Sequence, residues 1–193
     1  MTNVLLFCTS EEAKQVTRKA LNMKEGDRVN ICSTFYLVES RTCPKNREDF
    51  RQEIQDNNTF ESEFIGASAQ DCQKWALNNQ YRVNFVEHDI ITMADSCNAT
   101  DNTLSIQFYS RLDPPLEFEG FGALPREVKT WHDFRVDYKD ARTVYTSLYF
   151  GPFGAVYPAY FGRKEEFTDE HGIFDVAKAE RALLSHGPDT VQD

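Results

Sequence analysis

Two histidine–aspartate pairs are the first residues in this chain that could perform acid–base chemistry. His88 precedes Asp89, and His132 precedes Asp133. An imidazole titrates near neutral pH and can therefore donate or accept a proton during a reaction. We predict strands at both places, and neighbouring side chains on a strand point to opposite faces, so neither histidine can be oriented by its own adjacent aspartate. A dyad would have to form across strands.

We therefore predict three catalytic residues: His132 and Asp89 as a cross-strand dyad, and His88 beside them. The alternative for each histidine taken alone is a structural or surface role, which we favour. The chain contains no H-E-x-x-H or G-x-S-x-G pattern that would point to a known catalytic arrangement.

An uncharged aromatic segment, YTSLYFGPFGAVYPAYFG at residues 145–162, is the second candidate for chemistry. A cavity lined by several tyrosines has apolar walls with polar tips and suits a small ligand. The predicted ligand-binding residues are Tyr145, Tyr149, Tyr157 and Tyr160, with Arg135 and Phe121 from neighbouring segments. The alternative is that these rings only fill the core or cover the sheet.

The sequence lacks the residue patterns that nucleotide-binding and metal-binding sites require. The first strand-to-helix turn, CTSEE, has no glycine and places two glutamates where a phosphate would bind. The five cysteines form no C-x-x-C pair, and no histidine and carboxylate spacing is typical of a metal centre. We predict no nucleotide cofactor and no metal. Cys8 is a candidate nucleophile at a strand end, although an inert core cysteine is the favoured interpretation.

Composition and charge argue against nucleic-acid binding, membrane binding and secretion. The 193 residues have a net charge of −10, and the richest basic patch, residues 41–51, is diluted by two acidic residues. Nucleic acids and anionic membranes both require a basic face, so we predict neither as a partner. The N-terminal apolar run is too short for a secretory signal, and an odd number of unpaired cysteines favours reduced thiols. We therefore expect a cytoplasmic protein.

Hydrophobic periodicity predicts the elements that position these residues. The expected order is strand, helix, strand, helix, helix, four strands and a last helix, with capping boxes at Thr9/Glu12 and Ser68/Asp71. Residues 47–58 are predicted as a short helix, residues 111–130 as a long surface excursion, 141–150 as a strand and 151–162 as a loop. On that strand, Tyr145 and Tyr149 would share one face and Leu148 and Phe150 the other.

This order predicts an α/β (α+β) fold in a single compact domain over residues 1–193. The sheet would be mixed, with an N-terminal β-α-β half, an antiparallel C-terminal half and helices packed on the sheet.

Residues 81–176 resemble a small uncharacterised bacterial domain family. The resemblance rests on Phe134-Arg135-Val136 and Gly172-Ile173-Phe174, which match FRV and GxF motifs of that family. The chain departs from the family pattern at Ser147-Leu148, in the aromatic insert at residues 149–162, and in the tail beyond Phe174. The resemblance implies a compact α/β domain and no known activity.

Two functions follow from the sequence. The first is a soluble intracellular protein that binds or transforms a small, largely apolar or aromatic molecule in a tyrosine-lined pocket. The second is a non-catalytic interaction module whose aromatic patch binds a partner or forms a homodimer interface. They differ in whether the tyrosines and an ionisable group converge in a concavity or lie on an exposed face.

Overall fold

The computed structural model describes residues 2–23, 34–55, 58–111, 117–118, 122–123 and 129–185. Five strands form the central sheet: β1 (Asn3–Cys8), β2 (Phe35–Leu37), β3 (Val86–Ala94), β4 (Thr103–Ser110) and β7 (Thr130–Asp137). Two further short strands, β5 (Glu117–Phe118) and β6 (Gly122–Ala123), form a separate antiparallel pair.

The central sheet has the strand order β2-β1-β3-β4-β7. β1 runs parallel to its neighbours β2 and β3, whereas β4 runs antiparallel to its neighbours β3 and β7. The predicted fold class, an α/β fold with a mixed sheet, an N-terminal β-α-β half and an antiparallel C-terminal half, is confirmed. A single domain over residues 1–193 stays a prediction.

Seven helices are described: α1 (Lys14–Leu21), α2 (Ala69–Asn79), α3 (Asn98–Asp101), α4 (Ala141–Phe150), α5 (Phe153–Tyr157), α6 (Lys164–Phe167) and α7 (Val176–Ser185). Single 3-10 turns occur at Arg47–Asp49 and Gln80–Arg82, and a π-helical turn at Pro158–Gly162 follows α5 directly.

Helices cover both faces of the sheet because the interior strand β1 is apolar on both sides. In β1, Val4 and Leu6 belong to the core beneath α1, α4 and α7, whereas Leu5 and Phe7 belong to the core beneath α2. Buried residues that alternate between two cores in this way are typical of a strand in a parallel, doubly covered sheet. We call the two sides the α4 face and the α2 face.

Helix starts were predicted with mixed success. The capping box of Ser68 and Asp71 is confirmed at the start of α2. The box of Thr9 and Glu12 is wrong, because α1 begins later and the Thr9 amide donates to the carbonyl of Ala94 instead, at 2.9 Å. The helix cannot begin at Thr9 because the carboxyl end of β1 is still paired with the end of β3 there.

The helix predicted for residues 47–58 is also wrong. The chain leaves the 3-10 turn at Asp49 and becomes extended, and the Leu37 amide donates to the Arg51 carbonyl at 2.9 Å. Phe50 and Ile54, whose spacing indicated a helix, are buried in different cores. Bridging to the edge strand β2 therefore outweighs the weak helical pattern.

The strand predicted at residues 141–150 is a helix, α4. Its buried residues Ala141, Val144, Tyr145 and Leu148 have the spacing i, i+3, i+4 and i+7, which is one face of a helix. The loop predicted at residues 151–162 is helical as well, because Pro152 and Pro158 stand at the starts of α5 and the π-helical turn, where no backbone N–H is required. This change places the tyrosines on helices that cover the α4 face.

Candidate functional site: a tyrosine-lined cavity

A cavity of about 220 Å³ lies between the α4 face of the sheet and the helices that cover it. Its walls consist of Thr2, Val4, Glu87 and Ile90 from the sheet side, and Tyr145, Leu148, Tyr149 and Tyr157 from the helices. Three of the four tyrosines expected to bind a ligand therefore meet in one concavity. That they bind a ligand stays a prediction.

Helix α4 brings Tyr145, Leu148 and Tyr149 together because residues three and four apart lie on the same side of a helix. Tyr157 joins them because the chain reverses sharply at Gly151. A Cβ atom on Gly151 would lie 2.4 Å from the Val156 side chain and 2.6 Å from the Ser147 carbonyl oxygen. Only glycine permits this approach, so the α4–α5 corner depends on it.

Tyr145 contributes its ring to the wall. The side chain is 2% exposed, and its hydroxyl forms a hydrogen bond with the hydroxyl of Thr92 on β3. Burial raises the pKa of Tyr145 well above its usual value. The Tyr145 hydroxyl is already bonded to Thr92 and is not available to a ligand. Tyr145 therefore offers a ligand only the apolar surface of its ring.

Tyr157 and Tyr149 differ from Tyr145. The Tyr157 ring centroid lies 5.0 Å from that of Phe108 and 4.5 Å from that of Phe153. Burial raises the pKa of Tyr157, and the carboxylates of Glu87 and Asp89 raise it further. Tyr149 is 45% exposed and borders the open side of the cavity. Neither hydroxyl has a hydrogen-bond partner among the described residues, so both could bond to a ligand.

Glu87 is the one carboxylate among the described residues of the wall, and an irregular stretch of β3 places it there. Between the pairs Asn3–Val86 and Leu5–Ile91, β1 has one residue whereas β3 has four. Extra residues of this kind bend a strand and redirect its side chains. Glu87 Oε2 accepts a hydrogen bond from the Thr2 hydroxyl at 2.9 Å, and Oε1 accepts from the His88 amide at 3.1 Å.

The predicted catalytic residues lie outside the cavity wall. His88 Nε2 is 3.1 Å from the Val83 carbonyl oxygen, and its ring centroid is 4.6 Å from that of Tyr81. The Asp89 carboxylate accepts a hydrogen bond from the Tyr81 hydroxyl at 2.7 Å and pairs with the Arg111 guanidinium. Burial and the neighbouring Glu87 raise the pKa of Asp89 to about 6, while the nearby His88 opposes this rise.

The structure does not bring His132 and Asp89 together, so the predicted cross-strand dyad is not formed. His132 is paired with Phe108, and Phe108 with Ile90, so β4 lies between the two candidates. Directly paired residues share a face, which places His132 on the Ile90 side of the sheet. Asp89 instead contacts Tyr81 and Arg111, away from His132.

Two predicted ligand-binding residues, Tyr160 and Arg135, are not in the cavity wall. The Tyr160 hydroxyl is buried and donates a hydrogen bond to Glu180 Oε1, which also accepts from the Ser147 hydroxyl at 2.6 Å. Arg135 forms an ion pair with Asp95, with an Nη2–Oδ2 distance of 2.8 Å. Phe121 lies outside the described residues. Tyr160 and Arg135 therefore have structural partners where ligand contacts were expected.

Sequence reasoning missed Glu87, Thr2, Val4 and Ile90, which form the sheet side of the cavity. A signal for Glu87 exists, because Glu87, His88 and Asp89 are three successive polar residues in a strand whose other residues, apart from Thr92, are apolar. Such a run breaks the alternation of a regular strand and indicates a bulge. No signal in the sequence shows which helices would cover that bulge.

Among the described residues, no group of three or more histidine, cysteine, aspartate or glutamate side chains could hold a metal ion. No helix in the described part of the chain is both long and apolar enough to span a membrane. Comparison with known proteins gives no relative: no family model, no curated protein and no solved structure matches this chain.

Proposed function

We propose that this protein binds a small, largely apolar or aromatic molecule in the cavity formed by α4, α5 and the sheet. The observation that carries the proposal is the convergence of Tyr145, Tyr149 and Tyr157 with the carboxylate of Glu87 on one concavity. Apolar walls with a few polar groups are typical of small-molecule sites. The proposal requires no nucleotide cofactor and no metal.

The cavity volume limits the ligand. Sites for drug-sized molecules are about 300 to 1,000 Å³, and an engineered cavity of about 150 Å³ accepts benzene. A cavity of about 220 Å³ therefore suits one ring with a short substituent. The rings of the wall would pack against it, and the hydroxyls of Tyr149 and Tyr157 would orient its polar group.

Binding has more support than catalysis, because His88, Asp89 and His132 are all absent from the cavity wall. A reaction in the cavity would have to use Glu87 as its proton acceptor and Tyr157 as its hydrogen-bond donor. We place the protein in a reducing compartment such as the cytoplasm, since Cys8, Cys43, Cys72 and Cys97 are free thiols.

A fragment screen by thermal shift tests the proposal. Single-ring compounds are added to the parent protein, to Leu148→Phe, which fills part of the cavity, and to Phe150→Ala as a control outside it. A bound ligand raises Tm by mass action, so hits should stabilise the parent and the control but not Leu148→Phe. Hits that stabilise all three equally, or no hit at all, would contradict a site in this cavity.

A second function is favoured by a separate observation, an exposed aromatic patch beside the cavity. Tyr149, Phe150 and Phe153 are 45%, 70% and 40% exposed, and the Tyr149 and Phe150 ring centroids are 4.9 Å apart. Exposed clusters of large apolar side chains commonly mark interfaces. The alternative is thus a homodimer that buries this patch. Sedimentation of the parent and of Phe150→Asp tests it, because the parent should be a dimer and the variant a monomer.

A further inference from the structure

We propose that the cavity selects ligands that carry a protonated amine, with Glu87 as the residue that recognises the cationic nitrogen. This inference rests on the proposed function and specifies its ligand class: a single ring with a short aminoalkyl substituent. The proposal builds on the juxtaposition of one carboxylate with several tyrosines, in a wall whose described residues include no basic side chain.

Glu87 retains the capacity to bind a cation. Its two oxygens accept one hydrogen bond each, from the Thr2 hydroxyl and the His88 amide. An ionised carboxylate has about four acceptor positions, so about two remain. No lysine, arginine or histidine of the described residues lies within 4.0 Å of its oxygens. Glu87 is half-buried, and a partly desolvated carboxylate gains from a cationic partner.

The tyrosines favour the same kind of ligand. An aromatic ring presents a negative face, and a cation within about 6 Å of a ring centroid is attracted to it. Tyr149 and Tyr157 approach the cavity from α4 and α5, opposite the strand that carries Glu87. A bound ammonium group would therefore lie between a carboxylate and aromatic rings, the combination that recognises amines in aromatic cages.

The surrounding charge acts in the same direction. Glu87 and Tyr157 line the same cavity, so the carboxylate contributes a negative potential where the Tyr157 ring meets a ligand. The whole chain carries a net charge of −10, so cations are attracted towards it at long range. An anionic ligand would be repelled by Glu87 and would find no cationic side chain among the wall residues that the structure describes.

Three probes of nearly equal size separate charge from shape: benzylamine, benzyl alcohol and benzoate. Binding to the parent, to Glu87→Gln and to Glu165→Gln is measured by NMR titration. Glu165 is exposed on α6 and outside the cavity wall, so its variant removes one negative charge without touching the site. We expect the parent and Glu165→Gln to bind benzylamine about tenfold more tightly than benzyl alcohol, as charge-assisted hydrogen bonds do.

In Glu87→Gln the preference for benzylamine over benzyl alcohol should fall to about twofold or less, while benzyl alcohol keeps its affinity. Equal binding of amine and alcohol by the parent would overturn the amine proposal and leave the proposed function standing. Tighter binding of benzoate would do the same. If none of the three probes binds, both proposals fall. The parent comparison decides the matter even where Glu87→Gln does not fold.

Discussion

The hydroxyl groups of Tyr145 on α4 and Thr92 on β3 form a hydrogen bond with each other inside the protein. Tyr145 is 2% exposed and Thr92 is fully buried, so water does not compete for either group. The ring of the same tyrosine forms part of the cavity wall. One side chain thus holds the helix to the sheet through its polar end and shapes the cavity through its apolar body.

Removing one of these two hydroxyls should destabilise the fold without weakening ligand binding. Tyr145→Phe leaves the Thr92 hydroxyl buried without its partner, so we expect the free energy of unfolding to fall by about 1 to 3 kcal/mol. Urea unfolding measures this change. The affinity for a cavity ligand should change less than about twofold, because the hydroxyl is not available to the ligand.

A double-mutant cycle with Thr92→Val provides the control. Once both hydroxyls are gone, neither member of the pair is left buried without its partner, so the double variant should be more stable than the two single losses added together predict. Strict additivity of the two changes would show that the hydrogen bond contributes nothing to stability.

Tyr157→Phe should give the opposite result. The Tyr157 hydroxyl bonds to none of the described residues, so its removal should change the free energy of unfolding by less than about 0.5 kcal/mol. The affinity for a ligand that bonds to this hydroxyl should drop about threefold to tenfold. Tyr149→Phe should behave similarly at the open side of the cavity. Unchanged ligand affinity in both variants would show that the hydroxyls of Tyr149 and Tyr157 do not bind the ligand.

The sheet could be predicted from the sequence because its strands carry strong, regular signals. β4 alternates apolar and polar residues, β7 does so from Asp133 to Asp137, and β1 is a continuous apolar run beside a helix with one apolar face. Helix α4 could not be predicted in the same way, since its valine, threonine and tyrosine residues favour strands by composition. The helix forms because residues 141, 144, 145 and 148 pack onto the sheet. The local sequence gives only a weak signal for this tertiary contact.

The site could be predicted only in part, because residue types can be read from a sequence whereas strand order and bulges cannot. The tyrosines were identified by residue type, which does not depend on whether residues 141–150 form a strand or a helix. The dyad of His132 with Asp89 required the order of three strands and the position of a bulge, and neither is visible in a single sequence. Glu87 was missed because only the irregular pairing of β3 with β1 turns it towards the cavity.

Gly151→Ala should disturb the corner that places Tyr157 near Tyr149. The new methyl group would lie 2.6 Å from the Ser147 carbonyl oxygen, and the backbone cannot move aside as a flexible side chain can. We expect a loss of about 1 to 3 kcal/mol in the free energy of unfolding, as for other overpacked positions, together with weaker ligand binding. Stability and binding equal to those of the parent would mean that the corner is not as tight as described.

Glu180 should be required for stability and not for ligand binding. The buried Tyr160 hydroxyl and the Ser147 hydroxyl both donate to the same carboxylate oxygen, which connects α4 and the π-helical turn to α7. Glu180→Ala should cost about 2 to 3 kcal/mol, because hydrogen bonds to a charged group are lost and a buried hydroxyl is left without a partner. Glu180→Gln keeps an acceptor and should cost less. A large loss of ligand affinity in Glu180→Gln would contradict this prediction and would indicate that Tyr160 contributes to ligand binding.

Asp89 should make stability depend on pH in the acidic range. Its pKa is raised to about 6 by burial and by Glu87, whereas an unfolded aspartate titrates near about 3.9. The folded protein therefore binds more protons than the unfolded chain between about pH 4 and pH 6, and stability falls as the pH rises through this window. The unfavourable contribution is absent below about pH 4 and complete above about pH 6.

Two measurements test this account of Asp89. The Asp89 carboxyl carbon should titrate near pH 6 in an NMR experiment. Arg111→Gln should raise that pKa further, because a guanidinium paired with the carboxylate favours the charged form. The stability of Asp89→Asn relative to the parent should increase between pH 4 and pH 6, since the amide carries no charge to desolvate and still accepts from Tyr81. A carboxyl titrating near its ordinary value in the parent would show that Arg111 outweighs burial and Glu87, and the stability difference would then be independent of pH in this range.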